Sequence, residues 1–211
     1  MNSIITNIET QKNNSKRVSI FIDNKFAFGV YKKTLYEFNL NKGDIIDENL
    51  RQKIILKDQY SDCINKAYNL LSYKDRTEDE LKEKLLNKEF NINTINKVLK
   101  KLIDLGYLDD YEYTKTYIDF KIEKMGSYKI KNKLLKKGIN ERIINELLSN
   151  YSQEFEFKKA LKLAKKRNKK YEGISYKKRY QRVSGYLKRK GYSYDIINSV
   201  LEKVLYEYKE Y

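Results

Sequence analysis

LKRKGYS, Leu187 to Ser193, has two earlier counterparts in the same chain: LLKKGIN at Leu134 to Asn140 and LLNKEFN at Leu85 to Asn91. Each opens with Leu, carries Lys three residues later, and places Asn or Ser six residues later. The agreement runs on without a gap. Ile95, Ile144 and Ile197 stand ten residues after the Leu; Asn96, Asn145 and Asn198 stand eleven after; Leu99, Leu148 and Leu201 stand fourteen after. The intervals are 49 residues (85 to 134) and 53 residues (134 to 187). Such a period marks a repeated supersecondary unit. The leading Leu reads as the last core residue of one helix. Gly138 or Gly191 makes a turn that wants a left-handed backbone, Glu89 stands at the turn of the first unit, and Asn91, Asn140 or Ser193 caps the next helix.

Working outward, Ile64, Ala67, Tyr68 and Leu71 form an apolar stripe at helical spacing. Thr77 and Glu80 then make a capping box that opens ELKEKLL. In the second unit Asp109 or Asp110 starts a helix through Met125, and Gly126-Ser127 starts another over YKIKNKLLKK. In the third, a helix runs from Gln153 to Lys170, and Ser175 starts a longer one. The first sixty residues differ. Val18, Ile20 and Ile22, then Phe26, Phe28 and Val30, alternate around Asp23-Asn24, which predicts a β-hairpin. Ile4, Ile5 and Ile8 supply a third strand, TLYEFNLNKGDII a short helix stopped near Gly43, and Asp47 a second helix. The fold class expected is mainly α: tandem three-helix repeats in an elongated array, behind a small β-rich module. The segments are 1–58 for that module and 59–108, 109–152 and 153–211 for the repeats.

Composition narrows the chemistry. There is no His and one Cys, Cys63. His-based triads, His metal sites, disulfides within the chain and cysteine-clustered zinc sites all drop out. A lone Cys fits a reduced cytoplasm. No run of about 18 apolar residues suggests a membrane span. The formal net charge is +16, which points to a polyanionic partner or an acidic protein surface. From Lys158 to Lys190 there are 15 Lys or Arg against one acid, Glu172. The candidate contact residues are Lys165, Lys166, Arg167, Lys169, Lys170, Arg179, Arg182, Lys188, Arg189 and Lys190, with Lys136 and Lys137 from the repeated motif. Tyr171, Tyr176, Tyr180, Tyr186 and Tyr192 lie among them and serve either as core or as stacking platforms. A Lys near a helix C-terminus, such as Lys88, is also what the helix dipole favours. In GYLDDYEY, Asp109, Asp110 and Glu112 could hold Mg²⁺ for nuclease chemistry, but acids also belong in the first turn of a helix. No catalytic residue, metal or cofactor is expected.

These residues together resemble the RecX family, regulators of the RecA recombinase. LSYKDRTEDELKEKL resembles the family's first-repeat signature, GYLDD its Gly-Tyr-Ile-Asp-Asp element, and LLKKGI and LKRKGYS its Leu-x-x-Lys-Gly and Arg-Arg-Gly-Phe-Ser elements. DNKFAFGV is similar to the N-terminal extension of some members. The resemblance implies tandem three-helix repeats and a role in recombination, DNA repair and the SOS response; the repeat array without an equipped catalytic site predicts a monomeric, non-enzymatic protein of the cytoplasm. The resemblance also implies binding to the RecA–DNA filament and restraint of ATP hydrolysis and strand exchange. The alternative is a stand-alone helical protein that binds single- or double-stranded DNA directly. Glu89 in place of Gly implies a different turn in the first repeat.

Overall fold

A computed structural model describes residues 3–206 of the chain. It divides into two units, Met1–Asp75 with Leu81–Tyr107, and Arg76–Glu80 with Leu108–Tyr211.

The first unit opens with an antiparallel sheet of β1 (Ser3–Gln11), β2 (Asn14–Ile22), β3 (Lys25–Tyr31) and β4 (Ile45–Ile46), in the order β3-β2-β1-β4. The β2–β3 hairpin turns on Asp23 and Asn24, both at positive φ, 49° and 63°, as a type I′ turn requires. Ile5, Val18, Ile20, Phe28, Val30, Leu40, Ile46 and Ile54 bury the sheet's inner face. Helix α1 covers only Lys32–Glu37. It stops short of the expected Gly43, because Asn39 already takes a left-handed backbone, φ 48°. The Ile45-Ile46 pair beyond it joins the sheet against Ile4 and Ser3, a strand too short to be read from alternation.

Helix α2 (Glu48–Tyr73) begins at Asp47, whose side chain accepts from Leu50 N at 2.6 Å. The two helices expected on either side of residue 58 are this one helix, since neither Gly nor Pro interrupts its 26 residues. Asp58, buried on it, accepts from three places at once: the Arg17 guanidinium at 2.9 Å, Tyr31 N at 2.6 Å and Thr34 Oγ1 at 2.9 Å. The sheet, α1 and α2 therefore share one buried carboxylate. Helices α3 (Glu78–Leu86) and α4 (Ile92–Asp104) follow. Cys63, Ala67, Leu81, Leu85, Ile95, Val98, Leu99 and Leu102 are all buried.

The second unit holds α5 (Asp110–Ile122), α6 (Ser127–Leu135) and α7 (Glu141–Leu148), then α8 (Gln153–Asn168), α9 (Tyr176–Lys190) and α10 (Tyr194–Leu205). Ile118, Ile122, Ile130, Leu134, Ile144 and Leu147 fill the core of the first three. Ala160, Ala164, Val183, Leu187, Ile197, Val200 and Leu201 fill that of the last three.

The repeated stretch is one turn built three times. The amide five residues on donates back to the leading Leu carbonyl: Phe90 N to Leu85 O at 3.4 Å, Ile139 N to Leu134 O at 3.2 Å, and Tyr192 N to Leu187 O at 3.3 Å. The residue between is left-handed each time, with φ 63° at Glu89, 79° at Gly138 and 89° at Gly191. Glu89 thus does not alter the turn; it adopts the glycine conformation at a cost. Asn91, Asn140 and Ser193 cap the next helix, accepting from Asn93 N, Arg142 N and Ile196 N. The Thr77–Glu80 capping box closes both ways, Glu80 N to Thr77 Oγ1 at 3.1 Å and Thr77 N to Glu80 Oε2 at 3.4 Å. Ser175 stands at the start of α9 without a side-chain cap bond.

Candidate nucleic-acid interface

The turns at Gly138 and Gly191 are also joints. Thr77 Oγ1 donates to Lys137 O at 2.6 Å. At the equivalent place 49 residues on, Gly126 N donates to Lys190 O at 3.0 Å. The start of one repeat's middle helix therefore caps the end of the next repeat's middle helix. Contact at the second joint is close enough that a Cβ on Gly126 would lie 2.3 Å from Gly191 O. Lys129 Nζ adds a bond to Arg189 O at 2.8 Å, and Lys190 Nζ reaches Lys124 O at 3.4 Å.

Lys137, expected on the contact face, belongs to the first joint. Its Nζ lies 2.5 Å from Glu80 Oε1 and 5.4 Å from the Tyr113 ring centroid. Burial opposes its charge, but the hydrogen bonds to Glu80 and Tyr113 outweigh burial and hold its ammonium above the ordinary lysine value. Arg179 is also withdrawn. It is 3% exposed, and its Nε and Nη2 both donate to Tyr171 O, at 3.0 and 2.7 Å. Tyr192 is buried, and Tyr171, Tyr176, Tyr180 and Tyr186 pack partly buried against the core of α8–α10.

The other expected residues fall into two groups. Arg167 lies over the rings of Tyr171 and Tyr186, at 5.3 and 5.1 Å; Arg182 lies over Tyr171 at 5.2 Å and Lys190 over Tyr186 at 5.8 Å. Cations and rings thus alternate, with positive heads covering the tyrosine faces. Lys165, Lys166, Lys169 and Lys170 are exposed at the end of α8 and in the short 3-10 turn Lys169–Tyr171 beyond it. Lys158 and Lys159 are paired with Glu154 and Glu123. Among the described residues no ion pair neutralises Lys165, Lys166, Lys169, Lys170, Lys188 or Arg189.

The second group lines a groove of about 300 Å³, walled by Lys129, Lys133 and Lys136 of α6 and its C-terminal turn, and by Lys188 and Arg189 of α9. Tyr128, Asn132 and Gly191 complete the lining, and none of it is acidic. Lys136, Lys188 and Arg189 were expected contact residues; Lys129 and Lys133 were not. Their signal was present as cations at i, i+4 and i+7 along YKIKNKLLKK, which is one helix face.

The acidic cluster is structural. Asp109 caps α5, accepting from Tyr111 N at 2.8 Å and Glu112 N at 3.0 Å. Asp110 accepts from Glu78 N at 2.9 Å. Burial raises its carboxyl above the usual range, partly offset by that bond. Among the described residues no three His, Cys, Asp or Glu stand where they could hold a metal ion. Burial likewise pushes the Cys63 thiol up to about 11, so it is not a ready nucleophile.

Three family models match the chain: the regulatory protein RecX N-terminal domain over residues 3–47, the first three-helix domain of RecX over 63–102, and the third over 154–201. The Regulatory protein RecX of Clostridioides difficile (strain 630) is 40% identical over 204 residues, covering 96% of each chain. That of Bacillus subtilis (strain 168) is 35% identical over 208 residues, covering 98% of this chain and 79% of its own. The chain belongs to the RecX family. A crystal structure of regulatory protein RecX superimposes with TM-score 0.71 at 31% identity, over 94% of this chain and 98% of that one. RecX from Lactobacillus salivarius gives 0.65 at 32% identity, over 70% and 97%. Membership agrees with the three-helix repeats and the N-terminal module. No helix among the described residues is long and apolar enough to cross a membrane.

Proposed function

We propose that the chain is a non-catalytic, monomeric, cytoplasmic regulator that binds the RecA–DNA filament and restrains RecA's ATP hydrolysis and strand exchange. Its functional segments are the sheet module 1–58 and the repeats 59–108, 109–152 and 153–211. The reading rests on similarity to proteins named Regulatory protein RecX along nearly the whole chain. The observation that carries it is the unneutralised basic surface of α6, α8 and α9. The fold does not explain that surface, and like charge at such density opposes folding. It suits a polyanion wrapped in protein, where phosphates supply affinity and the protein coat supplies discrimination. In this reading Lys165, Lys166, Lys169, Lys170, Lys188 and Arg189 meet the filament, and Lys137 and Arg179 hold the fold beneath them.

The test is RecA-catalysed ATP hydrolysis on single-stranded DNA with increasing amounts of the protein. Wild type should suppress it, and a Lys165→Glu, Lys166→Glu, Lys188→Glu variant of unchanged helicity should not. Equal wild-type affinity for bare and RecA-coated DNA would favour a stand-alone nucleic-acid-binding protein instead.

A further inference from the structure

We infer that the groove between α6 and the end of α9 is a preformed site for single-stranded nucleic acid, with Tyr128 as its base-stacking platform. The inference deepens the reading of the basic surface as a polyanion contact, and rests on that reading. Four observations lead to it.

The first is charge. Five cationic side chains converge on a space of about 300 Å³ without an acid among the lining residues. The second is rigidity. Lys129 Nζ is bonded to Arg189 O at 2.8 Å and Gly126 N to Lys190 O at 3.0 Å, so the two walls are tied together before any ligand arrives. A preorganised site loses less on binding.

The third is length. Lys129 and Lys136 are seven residues apart, about 10 Å along the helix. That is the span of a short run of backbone phosphates. The whole cross-section of a duplex does not enter a space of this size, but one backbone with its bases turned outward does.

The fourth observation decides between strand types. Tyr128 lines the groove and is 66% exposed. Tyr171 and Tyr186 in the same unit carry arginines over their faces. The Tyr128 ring, among the described residues, is covered by neither a cation nor another ring. An uncovered aromatic beside a row of phosphate-binding cations is what sequence-tolerant single-strand sites use. In a duplex the bases are already stacked on one another and offer Tyr128 no face, so its contribution should appear with single strands alone.

The test is fluorescence anisotropy of the full chain with labelled oligothymidylate and with a duplex of equal length. Tyr128→Ala should weaken oligothymidylate binding by about tenfold and leave duplex binding unchanged. Lys133→Glu with Lys136→Glu should weaken both, and lower the salt slope by about two. Circular dichroism checks that each variant is folded, and Tyr128→Phe, which keeps the ring, should bind as wild type. Tyr128→Ala weakening both substrates equally, or neither, overturns the inference. So does a charge reversal that spares oligothymidylate binding but abolishes capture of RecA in the absence of DNA, because the groove is then a protein contact. RecA ATP hydrolysis, measured in parallel, reads the filament proposal separately. A wild-type protein that binds oligothymidylate through Tyr128 yet leaves RecA unrestrained would support this site and remove the filament reading.

Discussion

Three glycine-to-alanine substitutions separate the two demands that the joint between repeats places on its backbone. Gly173 has φ +80° with nothing within 4 Å of a would-be Cβ, so Gly173→Ala tests the left-handed conformation alone. It should cost about 1–2 kcal/mol. Gly126 has an ordinary φ of −75°, but its Cβ would lie 2.3 Å from Gly191 O and 2.8 Å from Tyr192 N. Gly126→Ala therefore tests close approach alone, and forcing the two backbones apart should cost about 1–3 kcal/mol. Gly191 combines both: φ is +89°, and its Cβ would lie 2.1 Å from Lys129 Cβ and 2.7 Å from Lys129 N. Gly191→Ala should cost about 2–5 kcal/mol. Urea unfolding followed by far-ultraviolet circular dichroism gives the totals. Native-state hydrogen exchange should show the loss at Gly126 N, which donates to Lys190 O. If Gly191→Ala costs no more than Gly173→Ala, the backbones do not touch and the joint as described is wrong.

Removing Asp58 with Ala should cost about 3–5 kcal/mol, because Arg17, Tyr31 N and Thr34 Oγ1 lose a shared buried acceptor together; thermal melts of the variant check this, and an unchanged midpoint would refute it. Glu89→Gly should stabilise by about 0.5–1 kcal/mol, since relief at φ 63° exceeds the added freedom of the unfolded chain, whereas Glu89→Ala should not. Tyr192 is 4% exposed, and its hydroxyl has no hydrogen-bond partner among the described residues, so Tyr192→Phe should stabilise by about 1 kcal/mol at neutral pH. Burial, with the nearby Glu156 charge, pushes the Tyr192 phenol up to about 12. The fold thus favours its protonated form, and that contribution is present below about pH 10 and lost as pH rises toward 12. Stability against pH should fall across that window by roughly 2–3 kcal/mol less in Tyr192→Phe than in wild type.

What could be read in advance was whatever a residue type demands of its own backbone. Asn91, Asn140 and Ser193 cap helices because their short oxygens reach a nearby amide. Asp23 and Asn24 turn the hairpin because they tolerate positive φ. The Thr77–Glu80 box names itself. These signals are local, and they survive into the fold. The contact face was harder, because exposure depends on what lies across the joint. Lys137 and Lys190 hold the same place in their motifs, yet Glu80 claims the first, and nothing in LLKKGIN announces that partner. Arg179 sits in a basic run but falls on the same face of α9 as Val183 and Leu187, where helical spacing would have placed it inside. Lys129 and Lys133 stand out only around the helix, not as a run of charge along the chain. Composition changes at residue 58, which suggests a boundary, but the α2 backbone runs on through it.

That unbroken α2 makes the first unit a geared assembly. The helix is about 39 Å long at 1.5 Å per residue. Asp58, near its middle, keys it to the sheet, and the helix also packs against α4. Neither Gly nor Pro interrupts it, so the sheet and the first repeat are held in one register along the α2 axis. Inserting one residue after Asp58 would swing everything beyond it by about 100°, carrying Cys63 and Ala67 out of their core. Inserting seven would turn it almost two whole revolutions and leave it about 20° from where it began. Length in this helix behaves as an angle: insertions of about seven, eleven or eighteen residues nearly restore it, and most others do not.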